Sequence, residues 1–181
     1  MLTPLSLDEI RYIYNKFMVY DFPKDELKPL SSIQRMVGDG ICSCFAIYDK
    51  DAVMAYAFLC EYDGYVLVDY LAVNSDMRGE GIGSRLLKLL KEKLDGKTIL
   101  IECEDIGFAE SSSEAETRKR RISFYNAAGF KVSSVKTVLF GVNYVILTYP
   151  GNCNTIAEGL SKVYRKMLGE ESFHKHLKIY N

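Results

Sequence analysis

The sequence predicts a single α+β domain with a mixed, mostly antiparallel sheet, helices flanking that sheet and a helix at the C-terminus. A chain of 181 residues is long enough for one domain with a sizeable core and short for two. Three strand-like runs follow one another in residues 44–73 with only short turns between them, as in antiparallel hairpins. Runs with helical spacing lie before, between and after the strands, so residues 1–181 are predicted as one domain and 151–181 as its helical extension.

The N-terminal half predicts two helices and then three strands. Apolar side chains from Leu5 to Val19 recur at helical spacing, and Ile33 to Val37 predict a second short helix that ends at Gly38. The strands are expected at Cys44–Tyr48, Val53–Glu61 and Tyr65–Val73, with turns at 49–51 and 62–64.

The C-terminal half alternates helices and strands. Apolar residues from Ile82 to Leu94 mark a strongly amphipathic helix that ends near Gly96. Ser113 and Glu116 have the spacing of a capping box, which predicts a helix running from there to Ala128. The remaining elements are expected at Thr98–Glu104, Phe130–Thr137 and Val142–Tyr149 for strands and Asn154–Leu168 for the terminal helix.

Composition and charge exclude several classes of function. The chain has 48% hydrophobic and 26% charged residues, which is typical of a soluble globular protein. A net charge of −1 provides no basic field, so no nucleic-acid partner is expected. The apolar stretches are shorter than the ~20 residues of a membrane helix and the N-terminus does not resemble a signal peptide. No membrane partner is therefore expected, and the chain is predicted to be cytoplasmic.

The cysteines and histidines do not predict a metal site. No cysteine pair has the C-x-x-C spacing, and both histidines, His174 and His176, lie in the tail away from any cysteine. The cysteines are expected to be reduced and to behave as small hydrophobic residues. They are Cys42, Cys44, Cys60, Cys103 and Cys153.

A glycine-rich loop between a strand and a helix carries the clearest functional signal. Residues 78–84 read R-G-E-G-I-G-S, directly after the third strand and before the amphipathic helix. The N-terminus of a helix presents unpaired backbone N–H groups and favours negative charge. Glycines let such a backbone approach a phosphate without interference from Cβ. The loop is therefore predicted to bind a phosphate or pyrophosphate.

Standard nucleotide motifs do not match this loop. A dinucleotide fingerprint that starts at Gly79 would need glycine at Ser84, and a P-loop would need glycine and lysine at Ser84 and Arg85. Glu102 does lie about 20 residues beyond the loop, where a ribose-binding acid would lie. The antiparallel-looking strands before the loop nevertheless disfavour a nucleotide fold. A tight strand-to-helix turn without a ligand is the remaining alternative.

Two motifs resemble those of the GNAT superfamily of N-acetyltransferases. The sequence R-G-E-G-I-G at 78–83, which follows Y-L-A-V at 70–73, resembles the acetyl-coenzyme A motif of that family. The sequence F-Y-N-A-A-G-F at 124–130 resembles the family's end of the following helix. The resemblance covers roughly residues 53–149, and the order of the elements agrees with it.

The resemblance implies acetyl-coenzyme A as cosubstrate and assigns binding roles to residues of this chain. The pantetheine arm would pair like an extra strand with Leu71, Ala72 and Val73. The pyrophosphate would be bound through backbone amides of Arg78, Gly79, Glu80, Gly81, Ile82, Gly83 and Ser84. No metal is implied.

The resemblance also implies a proton donor and leaves the base open. The N–H of Val73 would polarise the thioester carbonyl, and Tyr125 would protonate the departing thiolate. A tyrosine pKa of ~10 lies only about 1.5 units above that of a thiol, which permits the transfer. Asp69 and Glu102 are the candidate bases, since each lies on a strand beside the expected thioester path. A structural role for either carboxylate, and aromatic packing for Tyr125, are the alternatives.

The chain departs from the family pattern between Asp105 and Thr117, where the loop is longer than usual. The basic run at 118–121 follows, with Arg118 where many members carry a small polar residue. It is interpreted as a solvated helix face, with contact to a coenzyme phosphate as the alternative. The segment from Tyr20 to Leu27 combines aromatic and acidic residues, which suits a cationic amine but also a packed connection between helices.

The leading hypothesis is direct acetyl transfer from acetyl-coenzyme A to a primary amine, chiefly of a small molecule. The alternatives are a catalytically inert acyl-coenzyme A binding or sensing domain and a nucleotide-binding domain with a degenerate fingerprint. The apolar stripe of the terminal helix, which includes Leu160 and Tyr164, is expected to pack on its own sheet. Packing on a second copy, to form a homodimer, is the alternative.

Overall fold

The computed structural model describes residues 1–24, 26–151 and 154–180. Its eight strands are β1 Thr3–Pro4, β2 Cys42–Asp49, β3 Ala52–Tyr62, β4 Tyr65–Val73, β5 Thr98–Glu104, β6 Lys131–Leu139, β7 Val142–Tyr149 and β8 Leu177–Tyr180. The α-helices are α1 Leu7–Ile13, α2 Val19–Asp21, α3 Leu30–Gly38, α4 Ile82–Lys93, α5 Ser112–Ala127, α6 Ile156–Leu168 and α7 Glu170–His176.

The hydrogen-bonded strand order is β1-β2-β3-β4-β5-β7-β6-β8. Strands β4 and β5 pair in parallel, whereas β1 with β2, β2 with β3, β5 with β7, β6 with β7 and β6 with β8 pair antiparallel. The predicted α+β fold with a mixed, mostly antiparallel sheet is therefore confirmed. The chain folds as two compact units, one of Met1–Cys60 with Asp69–Asp95 and one of Glu61–Val68 with the described residues of Gly96–Asn181. The domain limits of 1–181 and 151–181 remain predictions.

The first unit packs its core on strands β2 and β3. Consecutive residues of these strands, 44–47 of β2 and 55–60 of β3, are buried, together with one side of α1 and α4 that includes Ile10 and Leu86. The predicted turn at 49–51 is present, and Lys50 takes the left-handed backbone (φ 51°) that a tight hairpin requires. Strand β1 was not predicted, because two residues are too short for a sequence signal.

A disulfide joins Cys42 and Cys60 across β2 and β3. The expectation that every cysteine is reduced was wrong for this pair, whose Cα atoms are register partners 4.1 Å apart. Their separation of 18 residues in sequence does not indicate that the two cysteines are neighbours in the fold. Cys44 and Cys103 are free and buried, as expected, and Cys153 lies outside the described residues.

The first predicted helix, Leu5 to Val19, is present but not uniform. Ser6 caps α1 in a capping box with Glu9, and the chain then forms a π-helix at Tyr14–Met18 before α2. The hydrogen bonds of a π-helix span one more residue than those of an α-helix. The spacing of the apolar residues predicted a helix here, but it did not show that one turn is π-helical.

The second unit centres on β5, which lies between β4 and β7. Its core includes Leu67, Ile101, Leu147 and Leu160. The N-cap of α5 is Ser111, two residues before the predicted Ser113. The side chain of Ser111 accepts from the N–H of Glu114, and this pair has the same spacing as Ser113 and Glu116. Two serine–glutamate pairs in succession made the first turn ambiguous. Helix α7 and strand β8, which pairs with β6, were not predicted.

Helix α6 packs closely on the start of β4, and this contact yields a test of the fold. A Cβ added to Gly159 would overlap the ring of Tyr65. We expect Gly159→Ala to lower the free energy of unfolding by about 1–3 kcal/mol, since overpacking a tight contact displaces backbone and side chains.

Thermal or denaturant unfolding measures this change. The control is Gly38→Ala in α3, where the new Cβ meets no atom within 4 Å. This control is expected to be neutral or to stabilise the protein slightly, by up to ~1 kcal/mol. Equal stability of the two variants would contradict the close packing of α6.

Candidate active site

The glycine loop after β4 has the backbone that only glycine adopts readily. Gly79 and Gly81 have φ values of 87° and 77°, in the left-handed region, and Gly81 is the N-cap of α4. A Cβ at either position would meet no protein atom within 4 Å. Backbone conformation, and not packing within the chain, therefore requires these two glycines, and space remains open above the loop for a ligand.

The helix start beyond the loop presents backbone donors. The first turn of any helix leaves N–H groups without intrahelical acceptors, here those of Ile82, Gly83 and Ser84. Gly81 makes no side-chain cap to satisfy them, and the N–H of Arg85 donates to Gly81 at 3.0 Å as the first intrahelical bond. These donors and the positive end of the helix dipole fit a phosphate group.

Arg78, at the start of the loop, is held by the protein itself. Its backbone N–H donates to the carbonyl of Ser75 at 3.4 Å, and its Nε donates to the carbonyl of Val73 at 3.2 Å. Its Nη2 contacts Asp21 at 3.2 Å. The neighbouring Glu80 is exposed. The side chain of Arg78 is thus engaged within the fold.

The end of β4 carries the residues predicted to pair with a pantetheine arm. The parallel register of β4 with β5 runs from Tyr65↔Thr98 to Val68↔Ile101. Leu71 and Val73, further along β4, are partly exposed, whereas Ala72 between them is buried. The alternation expected of a strand is therefore present in the segment assigned to coenzyme contact.

The carboxylate of Asp69 is bound in an ion pair. Lys28 Nζ lies 2.7 Å from Asp69 Oδ1, and the two side chains are 20% and 8% exposed. The backbone N–H of Lys28 also donates to the hydroxyl of Tyr70, which donates in turn to the carbonyl of Glu26. Lys28 therefore anchors the segment before α3 to β4. Sequence analysis missed it, because a lysine in a connecting segment has no distinguishing local pattern.

The carboxylate of Glu102 accepts hydrogen bonds from two buried hydroxyl groups. Thr137 Oγ1 of β6 donates to Glu102 Oε1 at 3.0 Å, and the hydroxyl of Tyr164 in α6 donates to Glu102 Oε2. Both donors are fully buried. Tyr164 was predicted only as part of an apolar stripe, since the spacing of residues along a helix does not show what a hydroxyl will contact.

Tyr125 is packed in the core of the second unit. Its ring contacts those of Phe124 and Phe130 at centroid distances of 5.1 and 6.0 Å. Burial raises the pKa of Tyr125 above its ordinary value, and the nearby Cys103 raises it further while Arg121 lowers it. Burial likewise raises the pKa of Cys103 to about 12. Both groups stay protonated at neutral pH, so Tyr125 is available as a donor and Cys103 is not a nucleophile.

The basic run at 118–121 is not a uniform solvated face. Arg118 is buried: its Nη1 donates to the carbonyl of Asp105 at 2.6 Å, and its Nη2 contacts Glu104 at 2.9 Å and Glu114 at 2.5 Å. Arg121 contacts Glu104 at 3.1 Å. The interpretation of the run as solvated was therefore wrong for Arg118, because the turn of α5 directs this one side chain toward the end of β5.

The same region supports a prediction on pH. Asp105 Oδ2 lies 2.8 Å from Lys136 Nζ, and Oδ1 accepts from the N–H of Gly107 at 2.9 Å. The hydrogen bond from Lys136 lowers the pKa of Asp105, partly against desolvation, with further lowering from Gly107 and Arg118. A lowered pKa in the folded state contributes stability above the unfolded value near 3.8, which is lost as the pH falls through the folded value.

Asp105→Asn is therefore expected to weaken the loss of stability on acidification below about pH 4, because asparagine cannot take up that proton. Urea unfolding at a series of pH values measures the slope. Asp95→Asn, in the turn after α4, is a control in which the slope is expected to match the wild type. A slope unchanged by Asp105→Asn would show that this carboxyl does not contribute.

The segment from Tyr20 to Leu27, considered as an amine site, is largely engaged in packing. Phe22 packs edge-on against Tyr70 at 4.9 Å, and Asp21 contacts Arg78 and Tyr56. Asp25 lies outside the described residues. An open groove of about 650 Å³ does border Tyr20, on the outer side of α1, but it contains none of the predicted catalytic or coenzyme residues. Its lining consists of Asp8, Arg11, Tyr12, Asn15, Lys16 and Tyr20.

Among residues 1–24, 26–151 and 154–180, no three or more His, Cys, Asp or Glu side chains form a group that could hold a metal ion. No helix in this described part of the chain combines the length and apolar character needed to cross a lipid bilayer.

The family model "Acetyltransferase (GNAT) domain" matches residues 40–132, which include the glycine loop, Asp69, Glu102 and Tyr125. The chain therefore belongs to the GNAT family of acetyltransferases. This match confirms the family inferred from the two motifs. It begins before the predicted stretch of 53–149 and ends within β6.

Individual relatives agree with this assignment. The chain is 32% identical over 119 residues to YjbC of Bacillus subtilis strain 168, which carries the name of an acetyltransferase; the match covers 65% of this chain and 56% of YjbC. A solved structure assigned to the GNAT family, from Bacteroides thetaiotaomicron, is similar with a TM-score of 0.73 and 21% identity over 91% of this chain and 94% of that one. A Bacillus subtilis acetyltransferase solved with CoA is similar with a TM-score of 0.56 and 18% identity over 82% and 95%. The two structural likenesses establish the fold.

Proposed function

We propose that this chain transfers the acetyl group of acetyl-coenzyme A directly to a primary amine, that of a small molecule. The observation that carries the proposal is the glycine loop, in which left-handed Gly79 and Gly81 lead into the open N–H groups of α4. Those donors match a pyrophosphate in charge and geometry. The family membership of residues 40–132 supports acetyl-coenzyme A as the source of that pyrophosphate.

Each proposed contact uses a feature of this chain. The backbone amides of residues 79–84 bind the pyrophosphate, and the partly exposed Leu71 and Val73 bind the pantetheine arm along β4. When bound, the coenzyme supplies an acetyl thioester that is open to attack by an amine. The N–H of Val73 polarises the thioester carbonyl, and Tyr125 gives its hydroxyl proton to the sulfur that departs.

We propose Glu102, in preference to Asp69, as the base that removes a proton from the acceptor amine. The carboxylate of Asp69 forms an ion pair with Lys28, so a proton accepted there would break that pair. The carboxylate of Glu102 accepts hydrogen bonds from the hydroxyl groups of Thr137 and Tyr164, which hold it in one orientation. Because a carboxylate near ~4.3 is a weak acceptor for an ammonium proton near ~10.4, we propose that Glu102 removes the proton through ordered water.

Paired variants test this assignment. Glu102→Gln is expected to lower kcat by roughly tenfold to 100-fold, because glutamine cannot accept the proton. Asp69→Asn is expected to lower the melting temperature, since Lys28 loses its partner, with a smaller loss of kcat. Steady-state kinetics and thermal unfolding of both variants separate the two carboxylates. A larger loss of kcat in Asp69→Asn than in Glu102→Gln would reverse the assignment.

Calorimetric titration tests the coenzyme. The protein is titrated with acetyl-coenzyme A and, in parallel, with NAD. Micromolar binding of the first and none of the second is expected. Preferential binding of NAD would favour a nucleotide-binding domain and overturn the proposal, as would the absence of any coenzyme binding.

Thiol release tests the transfer. Protein and acetyl-coenzyme A are incubated with an alkyl monoamine, a polyamine, an amino acid amide and a short peptide with a free N-terminus, and free coenzyme A is measured. Turnover with one of the small amines is expected. Turnover with the peptide alone would place the acceptor in a protein. Tight coenzyme binding without turnover by any amine would favour the inert binding or sensing domain.

A further inference from the structure

The segment before the family match contributes one partly buried carboxylate to the coenzyme loop. Asp21 ends α2, ahead of the matched residues 40–132, and its side chain is 12% exposed. Oδ2 accepts from the hydroxyl of Tyr56 at 2.7 Å, and Oδ1 accepts from Arg78 Nη2 at 3.2 Å. Both carboxylate oxygens thus have partners, and one of these partners begins the glycine loop.

The guanidinium of Arg78 connects three parts of the fold. Its Nε donates to the carbonyl of Val73 at the end of β4, while Nη2 donates to Asp21. A planar guanidinium with two fixed partners has little rotational freedom left. The side chain is nevertheless 60% exposed, so solvent competes for it wherever the carboxylate does not hold it.

The glycine loop at 79–84 needs a restraint of the kind that Arg78 provides. Glycine has the largest backbone freedom of any residue type, and the loop that contains Gly79 and Gly81 must present several N–H groups to one ligand. The bond from Arg85 to Gly81 restrains the far end of the loop. Arg78, held by Asp21 and Val73, restrains the near end.

Tyr56 holds the carboxylate of Asp21 in place. It is 1% exposed, and burial together with the hydrogen bond to Asp21 raises its pKa above the ordinary value for tyrosine. Its hydroxyl therefore remains a donor over the physiological range, and it orients the Asp21 carboxylate toward Arg78.

We infer that Asp21 is a positioning residue for the coenzyme loop: through Arg78 it holds the loop in the conformation that binds the pyrophosphate. This inference rests on the proposed function in taking coenzyme A as the ligand. It assigns the N-terminal segment a part in coenzyme affinity, in addition to any contact with the acceptor. Arg78 contributes to binding by fixing the conformation of the loop. Its positive charge is offset by the carboxylate of Asp21.

Coenzyme A binding by Asp21→Asn, Arg78→Ala and the double variant tests the inference. Each single change is expected to raise the Kd for coenzyme A by about fivefold to twentyfold, since loop order is lost before binding. The double variant is expected to bind no more than about twofold more weakly than Arg78→Ala, because both changes remove the same restraint. Asp39→Asn, whose carboxylate faces Arg35 at 3.5 Å on the surface, is the control and should bind like the wild type. An unchanged or tighter Kd in Asp21→Asn, or fully additive effects, would overturn the inference.

Hydrogen exchange in the free protein provides a second readout that needs no ligand. In Asp21→Asn the amides of residues 79–84 are expected to exchange about threefold to tenfold faster, with little change in the strands. Unchanged exchange in the loop would overturn the inference even if the wild type binds coenzyme A. Faster exchange in a protein that binds no coenzyme A would support Asp21 as the restraint on the loop and contradict the proposed function alone.

Discussion

Tyr125→Phe is expected to lower kcat about 100-fold while the Kd for acetyl-coenzyme A changes less than twofold. General acid catalysis contributes ~10²–10⁴-fold in rate. Because burial raises the pKa of Tyr125, the driving force for proton transfer to the thiolate is small, and we expect an effect at the lower end of that range. No hydrogen bond from the Tyr125 hydroxyl to another residue occurs in the described part of the chain, so its removal leaves no buried partner unsatisfied. The fold should therefore tolerate the change.

Steady-state kinetics with the best amine, calorimetry with the coenzyme and thermal unfolding together check this prediction. Tyr12→Phe, which removes a hydroxyl from the exposed side of α1, is the control and should retain full activity. The raised pKa also predicts that the wild type loses no activity through ionisation of Tyr125 up to about pH 10. Full activity of Tyr125→Phe would assign the tyrosine to aromatic packing with Phe124 and Phe130.

Gly81→Ala is expected to weaken coenzyme binding by tenfold or more and also to destabilise the protein. The left-handed backbone at Gly81 (φ 77°) costs an alanine about 1–2 kcal/mol. Relief of that strain would rotate the first peptide groups of α4, and the N–H groups of the helix start would no longer converge on one anion. The affinity for the coenzyme is therefore expected to fall in addition to the loss of folding stability.

A glycine at the other end of the same helix supplies the control. Gly96 has φ 78° and equally open space at its Cβ position. Gly96→Ala is therefore expected to lose a similar ~1–2 kcal/mol of unfolding free energy, with the Kd for coenzyme A unchanged. Calorimetry and urea unfolding of both variants measure the difference. Equal coenzyme affinity in the two variants would show that the loop does not bind the coenzyme.

Most of the fold could be predicted because it depends on local rules. Apolar strand-like runs identified β4 at Tyr65–Val73 and β7 at Val142–Tyr149 with the observed bounds, and helical spacing identified α4 to within one residue. The glycine loop could be predicted because its requirement, a left-handed backbone at a helix start, concerns only neighbouring residues. The strands that were missed, β1 and β8, are short and depend on pairing with distant strands.

The surroundings of the catalytic candidates could not be predicted, because their partners are far away in sequence. Asp69 and Glu102 looked equivalent as strand carboxylates, yet one contacts Lys28, 41 residues away, and the other Tyr164, 62 residues away. Which of two like residues meets a cation and which meets a hydroxyl depends on how the strands and helices pack. No local pattern carries that information.

The sequence by itself determined the order of the main elements and the position of the glycine loop, since both follow from periodicity or from the backbone freedom of glycine. It also indicated the family, through the resemblance of the motifs at 70–83 and 124–130. Only the tertiary structure decided that Arg118 is buried among Glu104 and Glu114, and that Asp21 meets Arg78. A charged side chain is placed by the partner that offsets its loss of hydration, and that partner is brought to it by the packing of the whole chain.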